Sequence, residues 1–270
     1  MQTLVNKLVL SGLILLLPAA LLAQLSIVRK TEIPLQASTT QVVSIPADST
    51  GVLLVQHLKI TKPAEAYRVQ LRSLNRDFEK SWQFEVPVEK KLQLVQYQRH
   101  GRSVYLVYSH ESLDFLKVLQ VNLENGSHQM HRFYSFEGIH YYQMGILRNN
   151  LYLVGAKSSR SLLFRLDLEA GSNQLLPTEL KTRMPTVIKN IETDEQRGIL
   201  QATLVADEPN SQLAEVRIFD HSGEKLVELP IKLEKKYRVL EAKTIVLPDA
   251  RLMVAGTFSD YEENKKQRLR

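Results

Sequence analysis

The chain has 270 residues, of which 44% are hydrophobic and 24% are charged, and it contains no cysteine. This composition excludes a disordered chain, and the absence of thiols excludes a disulfide framework, a thiolate metal site and a cysteine nucleophile. The formal net charge of +6 is spread along the chain and only 7% of the residues are aromatic, which argues against nucleic-acid binding, since that function needs a concentrated basic face with stacking aromatic residues.

Residues 1–23 have the pattern of a secretory signal peptide. One lysine precedes an apolar run from Leu8 to Leu17, and small residues follow up to Ala23. This order of charged, apolar and small segments predicts cleavage before Gln24, and the apolar run is short for a membrane span. We therefore expect an exported bacterial protein in the periplasm, on the outer-membrane surface or outside the cell, with no membrane span after cleavage. An uncleaved membrane anchor is the alternative.

Strand patterns recur along the rest of the chain with a period of about fifty residues. The second-strand pattern is almost continuously apolar, and its starts are 47 to 53 residues apart, at Val52, Val104, Leu151, Ile199 and Leu252. The third-strand pattern alternates and starts at Tyr67, Phe115, Leu162 and Ala214. Two patterns with the same step indicate a true repeat.

The segments between these patterns complete the repeat. Turn residues follow each third strand, as NRD, ENG, EAG and HSG, which is typical of hairpins. Fourth strands follow, and three of them are predicted to end at a proline, as suits an outer edge strand: Pro87, Pro177 and Pro230. First strands precede the second-strand pattern, and helical periodicity is almost absent.

A repeat of this length with four antiparallel strands predicts an all-β fold, a β-propeller with four full four-stranded blades and a partial fifth. The repeat domain covers residues 24–270, and its blades are expected at residues 39–87, 89–136, 138–180, 186–232 and 238–270. The last blade has room for two strands, so we expect an incomplete or open ring, or the front part of a longer polypeptide. A complete five-bladed propeller with a degenerate last blade is the alternative.

Three segments resemble the β-propeller superfamily with kelch-length blades: LYLVGA from Leu151, LMVAGTF from Leu252 and ENGSHQ from Glu124. The double glycine of kelch repeats is absent, because Gly155 and Gly256 each stand alone, and so is the Trp-Asp pair of WD-type repeats. In its first residues and its final segment, the chain also resembles exported propeller-like proteins of Bacteroidota-type bacteria. This resemblance implies export and a repeat fold, and it carries over no catalytic residue.

Loops at one end of the predicted blades carry a modest excess of basic residues. In an antiparallel meander, the loop from the second to the third strand and the loop into the next blade emerge on the same face. A binding face for an acidic partner is therefore predicted at these residues: Lys90, Lys91, Lys181, Arg183, Lys235, Lys236 and Arg238. Acidic residues alternate with them, so a merely solvated surface is the alternative.

Candidate metal ligands do not form a known motif. The HESLD segment from His110 begins like a zinc motif but lacks the second histidine. The loop from Asp167 to Asn173 has the oxygen-rich character of a calcium loop, but its counterparts in other blades form hairpins, which predicts a structural turn. His128 and His131 should point to opposite faces of one strand, so they are not expected to meet His140. We predict no metal site and no cofactor.

Two functions remain open at this level. The first is an exported, non-enzymatic binding module whose loops bind a protein or a glycan, alone or within a larger envelope protein, since loops on a rigid scaffold commonly carry binding. The alternative is a propeller-type hydrolase or lyase acting on an anionic polysaccharide, in which His140 or Tyr141 would work with loop carboxylates.

Overall fold

A computed structural model of the chain describes residues 39–47, 51–58, 66–181, 185–206, 213–232, 237–246 and 252–260. The predicted signal peptide lies outside these ranges. Within them the regular structure consists of β-strands, and no helix that could cross a membrane is found in this part of the chain.

In the part of the chain that the structure describes, eighteen strands form five antiparallel sheets. The first sheet contains β1 (Thr39–Pro46), β2 (Val52–Leu58), β3 (Ala66–Leu74) and β4 (Lys80–Glu89). The second contains β5 (Gln93–His100), β6 (Ser103–Ser109), β7 (Phe115–Asn122) and β8 (His128–Tyr134). The third contains β9 (His140–Leu147), β10 (Asn150–Lys157), β11 (Arg160–Asp167) and β12 (Ser172–Leu176). The fourth contains β13 (Thr186–Asp194), β14 (Ile199–Ala206), β15 (Leu213–Asp220) and β16 (Lys225–Lys232), and the fifth contains β17 (Tyr237–Val246) and β18 (Leu252–Asp260).

Strand order within each sheet follows the chain, so every sheet is a simple meander. Along the innermost edges, β5 contacts β9, β9 contacts β13, and β13 contacts β17. The second to fifth sheets therefore stack one after another with their first strands on the same side, and an apolar cluster joins the first sheet to the second. This arrangement is a β-propeller, open within the described strands, and the predicted fold class is confirmed.

Three apolar clusters lie between successive full sheets and hold the stack together. Leu106 of the second sheet belongs to the cluster shared with the first sheet, whereas its neighbour Val107 packs toward the third sheet. In the same way, Leu153 packs toward the second sheet and Val154 toward the fourth. Because consecutive side chains of a strand point to opposite faces, a strand covered on both faces must be apolar at nearly every position. This explains why the second-strand pattern is so uniformly hydrophobic.

The turn between the third and fourth strands has the same construction in all four full sheets. An Asn or Asp side chain opens each turn, and its Oδ1 accepts hydrogen bonds of 2.8–3.3 Å from two backbone N–H groups located two to four residues later: Asn75, Asn122, Asp167 and Asp220. Such side-chain-to-backbone bonds are typical of Asx turns. The structural turn predicted at Asp167 is confirmed, because the carboxylate binds the chain's own amide groups.

Replacing Asn122 by Ala should lower the free energy of unfolding by about 1 kcal/mol, because two amide groups of the turn lose their acceptor. Urea denaturation measures this change. Asn122→Asp is the matched control, because aspartate performs the same role in the third and fourth sheets, and it should stay within about 0.5 kcal/mol of the parent protein. Equal losses for the two variants would contradict the proposed role of the side-chain oxygen.

Two of the three predicted fourth-strand ends are wrong by two residues. β4 continues past Pro87 to Glu89, and β16 continues past Pro230 to Lys232, whereas β12 ends directly before Pro177. Each fourth strand is the outermost strand of its sheet, so one of its edges faces away from the ladder. A proline whose missing N–H lies on that outer edge costs no ladder hydrogen bond and does not stop the strand.

Candidate ligand-binding face

Among the described residues, three clefts open at one end of the sheets, which we call the loop end. It carries the starts of the first and third strands, the ends of the second and fourth strands, and the loops between them. The first cleft, of about 380 Å³, lies between the first and second sheets. The central cleft, of about 430 Å³, lies between the second and third sheets. The third cleft, of about 350 Å³, lies between the third and fourth sheets.

The first cleft is lined by a histidine–tyrosine pair from two sheets. His57 Nδ1 lies 2.7 Å from Gln41 Oε1, and its Nε2 lies 3.4 Å from the Tyr108 hydroxyl. Burial lowers the pKa of His57 and raises the pKa of Tyr108, so both groups are uncharged at neutral pH and serve as hydrogen-bonding groups. Lys90 and Gln93 also line this cleft.

The central cleft has a polar rim that joins two sheets. His140, at the start of β9, places its Nε2 3.1 Å from Glu111 Oε2 of the β6–β7 loop. The backbone carbonyl of Glu111 accepts a hydrogen bond of 2.8 Å from the N–H of Gly138. Gly138 has a φ of +74°, a left-handed conformation that favours glycine. The β6–β7 loop and the segment leading into β9 are thus held together, and Gln93 and His110 complete the rim.

The floor of the central cleft contains two aliphatic side chains and one aromatic side chain. Val95, Ile139 and Tyr141 line it, together with Ser109 at the end of β6. Burial raises the pKa of Tyr141, and the neighbouring Ser109 hydroxyl opposes this in part. Neither hydroxyl makes a well-formed hydrogen bond within the described part of the chain. Tyr141 therefore stays protonated at neutral pH and contributes mainly its ring surface.

The third cleft is bounded by a loop that the fourth sheet holds in place. Arg217 of β15 donates hydrogen bonds of 2.7 Å to the carbonyl of Pro177 and 2.8 Å to the carbonyl of Glu179. Leu180 N–H donates to Thr186 Oγ1 at 2.9 Å. The cleft combines exposed Leu175 with polar groups of this loop, so it too has an apolar and a polar side.

Three of the seven predicted basic residues have side chains that the structure describes. Lys90 and Lys91, in the β4–β5 loop, and Lys181, after β12, are exposed at the loop end. Arg238 lies in β17, and its side chain is not described. Arg183, Lys235 and Lys236 lie outside the described residues. Binding by these seven residues therefore stays a prediction.

Other cations near the loop end already have acidic partners. Arg160 Nη1 lies 3.6 Å from Glu179 Oε1, and Lys117 Nζ lies 2.6 Å from Glu89 Oε1. Arg132 also reaches Glu89, at 3.4 Å. These ion pairs reduce the positive charge that the loop end can offer to an acidic ligand.

The structure pairs His140 with a loop carboxylate, as the enzyme alternative anticipated, but the sequence patterns did not single out Glu111 as that carboxylate. His128 is exposed and His131 is buried, so the predicted opposite orientation on β8 is confirmed. His140, by contrast, meets Glu111 of the HESLD segment across the junction of two sheets. Both residues lie at the loop end of adjacent blades. This shared location follows from the predicted strand order, and it is the sequence signal that could have connected them. No group of three or more side chains suited to a metal ion occurs among the described residues.

Comparisons with known proteins give no function. No protein-family model matches the sequence, and no similar curated protein is found. Among solved structures, an apocarotenoid oxygenase of Synechocystis has a TM-score of 0.41 and 10% identity, covering 78% of this chain and 56% of that chain. A prolyl endopeptidase has a TM-score of 0.43 and 12% identity, covering 79% of this chain and 30% of that chain.

A third solved structure, a puromycin hydrolase, has a TM-score of 0.38 and 11% identity over 75% of this chain and 31% of that chain. The present chain thus spans about half the length of the oxygenase and about a third or less of the other two. With TM-scores below 0.5, these similarities say nothing about what the chain binds or catalyses, and the fold assignment rests on the sheet topology.

Proposed function

We propose that the protein is an exported, non-enzymatic binding module whose loop end binds an extended glycan. The observation that carries this proposal is the row of three clefts at successive sheet junctions on one face. Gln93 lines both the first and the central cleft, so these two are adjacent along the face. A linear polymer with a repeating unit fits such a row, because each unit can occupy an equivalent position. The signal-peptide pattern of residues 1–23 supports export.

The character of the clefts favours a glycan over a protein partner. Protein interfaces have an apolar core enriched in large aromatic residues and a polar rim around it. Here each junction instead has its own concave site with a few polar groups at the edge, which is the usual form of a small-molecule site and falls in the usual range of about 300–1,000 Å³. A sugar unit presents an apolar ring face and hydroxyl edges, so it matches both surfaces.

Catalysis is less well supported than binding. Glycoside hydrolysis ordinarily uses two carboxyl groups that flank the scissile bond. Among the described residues that line the central cleft, Glu111 is the one carboxylate. The phenol oxygen of Tyr141 is buried below the floor, so it does not reach a ligand as an acid or a base without a rearrangement. A hydrolase or lyase remains the second candidate, on the single observation that His140 and Glu111 are 3.1 Å apart.

Affinity should rise with oligosaccharide length if several clefts bind one chain. We expect the dissociation constant to fall at least about tenfold between a disaccharide and a hexasaccharide of the preferred sugar, because linked units bind with a high effective concentration. The full chain is expressed in a bacterial host, purified, and titrated with uncharged and anionic oligosaccharides of two to eight units in a calorimeter. Mass spectrometry of the same samples detects any cleavage.

Three results would overturn this proposal. The first is no binding to any oligosaccharide. The second is affinity that does not depend on length. The third is shortening or unsaturation of the oligosaccharide, which would establish the enzyme instead.

A further inference from the structure

We propose that the central cleft is a subsite for one uncharged sugar unit, oriented by the carboxylate of Glu111. This inference rests on the proposed glycan-binding function and adds the position and the charge class of the ligand. It follows from three features of the cleft: its apolar floor, the unused hydrogen-bonding groups of its rim, and the sign of the charge at its mouth.

The floor suits the ring face of a sugar. Val95 and Ile139 supply aliphatic surface, and Tyr141 supplies an aromatic ring that packs 6.4 Å from the ring of Phe136. Ile139 and Phe136 belong to the apolar cluster between the second and third sheets, so the floor is fixed by the same packing that joins the sheets. Rigid apolar surface of this kind binds the C–H face of a ligand without an ordering cost.

The rim carries hydrogen-bonding groups that the protein does not use internally. Glu111 directs Oε2 to His140, while Oε1 has no partner within the described part of the chain and can accept a hydrogen bond from a ligand hydroxyl. His110 Nδ1 accepts the N–H of Ser112 at 3.2 Å. With Nδ1 as the acceptor, Nε2 carries a ring proton and is able to donate it. Gln93 adds an exposed amide with both a donor and an acceptor.

The charge at the mouth decides the ligand class. With Oε2 directed to His140 and Oε1 open to a ligand, the Glu111 carboxylate favours a ligand rich in hydroxyl donors, and it repels a uronate or a sulfated sugar. The cations that would offset such repulsion do not line this cleft: its described lining includes His110 and His140 but no lysine or arginine. The central cleft thus fits an uncharged sugar, whereas Lys90 in the first cleft leaves the charge preference of that site open.

Replacing Glu111 by Gln should weaken the binding of an uncharged oligosaccharide about tenfold, because a neutral acceptor replaces a charge-assisted one at the same size. The probes are uncharged hexasaccharides of glucose, mannose and N-acetylglucosamine, with a hexamer of galacturonate as the anionic comparison. Glu137→Gln is the matched control: Glu137 is exposed in the loop before β9 and does not line the cleft, so this variant should bind like the parent protein. Thermal unfolding of both variants checks that neither change disturbs the fold.

The outcomes separate this inference from the proposed function. A tenfold loss for Glu111→Gln alone, with preference for an uncharged probe, supports the subsite. If the parent protein binds a hexasaccharide and Glu111→Gln binds it equally well, or if the galacturonate hexamer binds best and more tightly to the variant, the subsite is wrong while glycan binding stands. If no hexasaccharide binds, both proposals fail together.

Discussion

Replacing Arg217 by Ala should lower the free energy of unfolding by about 3–5 kcal/mol, the range expected when one partner of a buried ion pair is removed. The side chains of Arg217 and Glu215 are only 5% and 8% exposed, and the guanidinium Nε donates to Glu215 Oε1. The two Nη groups donate to the carbonyls of Pro177 and Glu179. Alanine would leave a buried carboxylate and two carbonyl groups without their partner, and none of these can regain full hydration in the folded state.

Urea denaturation of the variant and of the parent protein tests this account. Arg132→Ala is the control, because Arg132 is 42% exposed and pairs with Glu89 at 3.4 Å; we expect it to cost about 1 kcal/mol or less. A loss below about 1 kcal/mol for Arg217→Ala would contradict the buried pair.

The consequence for binding follows from the position of the loop that Arg217 holds. Pro177 and Glu179 line the third cleft, so the hydrogen bonds from β15 connect the packing of the fourth sheet to the shape of that cleft. Burying a charged pair in a β-strand costs desolvation free energy. Here the pair of Arg217 and Glu215 holds a loop in place instead of adding apolar contact. The sequence contained a signal for this pair, because Glu215 and Arg217 are two residues apart and must share one face of the strand.

Most of the fold could be predicted because its signals are local and repeated. The apolar second strands, the alternating third strands and the Asx turns each depend on a few consecutive residues, and the period brings four copies of each into agreement. A strand such as β6, with Leu106 and Val107 on opposite faces, must be covered on both sides. That requirement alone indicates stacked sheets, and the meander order follows from the short turns.

The candidate site was harder to predict, because it depends on which loops face each other across a sheet junction. Glu111 and His140 are separated by 29 positions in the chain, and strand alternation gives the direction of a side chain within its own sheet but not its distance from a neighbouring sheet. The clefts are gaps between neighbouring sheets, and the residue pattern of one strand does not determine the size or position of such a gap. The predicted strand ends at Pro87 and Pro230 were wrong for a related reason. Whether β4 can continue past Pro87 depends on which edge of the strand has no hydrogen-bonded neighbour.

Replacing Leu176 by Ala should lower the free energy of unfolding by about 3 kcal/mol, within the range of 2–5 kcal/mol measured for buried leucines. Leu176 is 1% exposed and belongs to the apolar cluster between the third and fourth sheets. Its Cδ2 would be 2.7 Å from a Cβ built on Gly223, so the fourth sheet approaches it closely. The truncation would leave a cavity at the junction, because rigid stacked sheets can collapse only partly around it.

Leu175→Ala is the matched control, since it makes the same chemical change one position earlier on β12. Leu175 is 55% exposed and points to the other face of the strand, so its loss should change the free energy of unfolding by less than about 0.5 kcal/mol. Urea denaturation of the two variants under identical conditions isolates the effect of burial, because both carry the same Leu→Ala change in the same strand. Similar losses at both positions would mean that the fourth sheet does not cover the third, and the row of junction clefts would then have no structural basis.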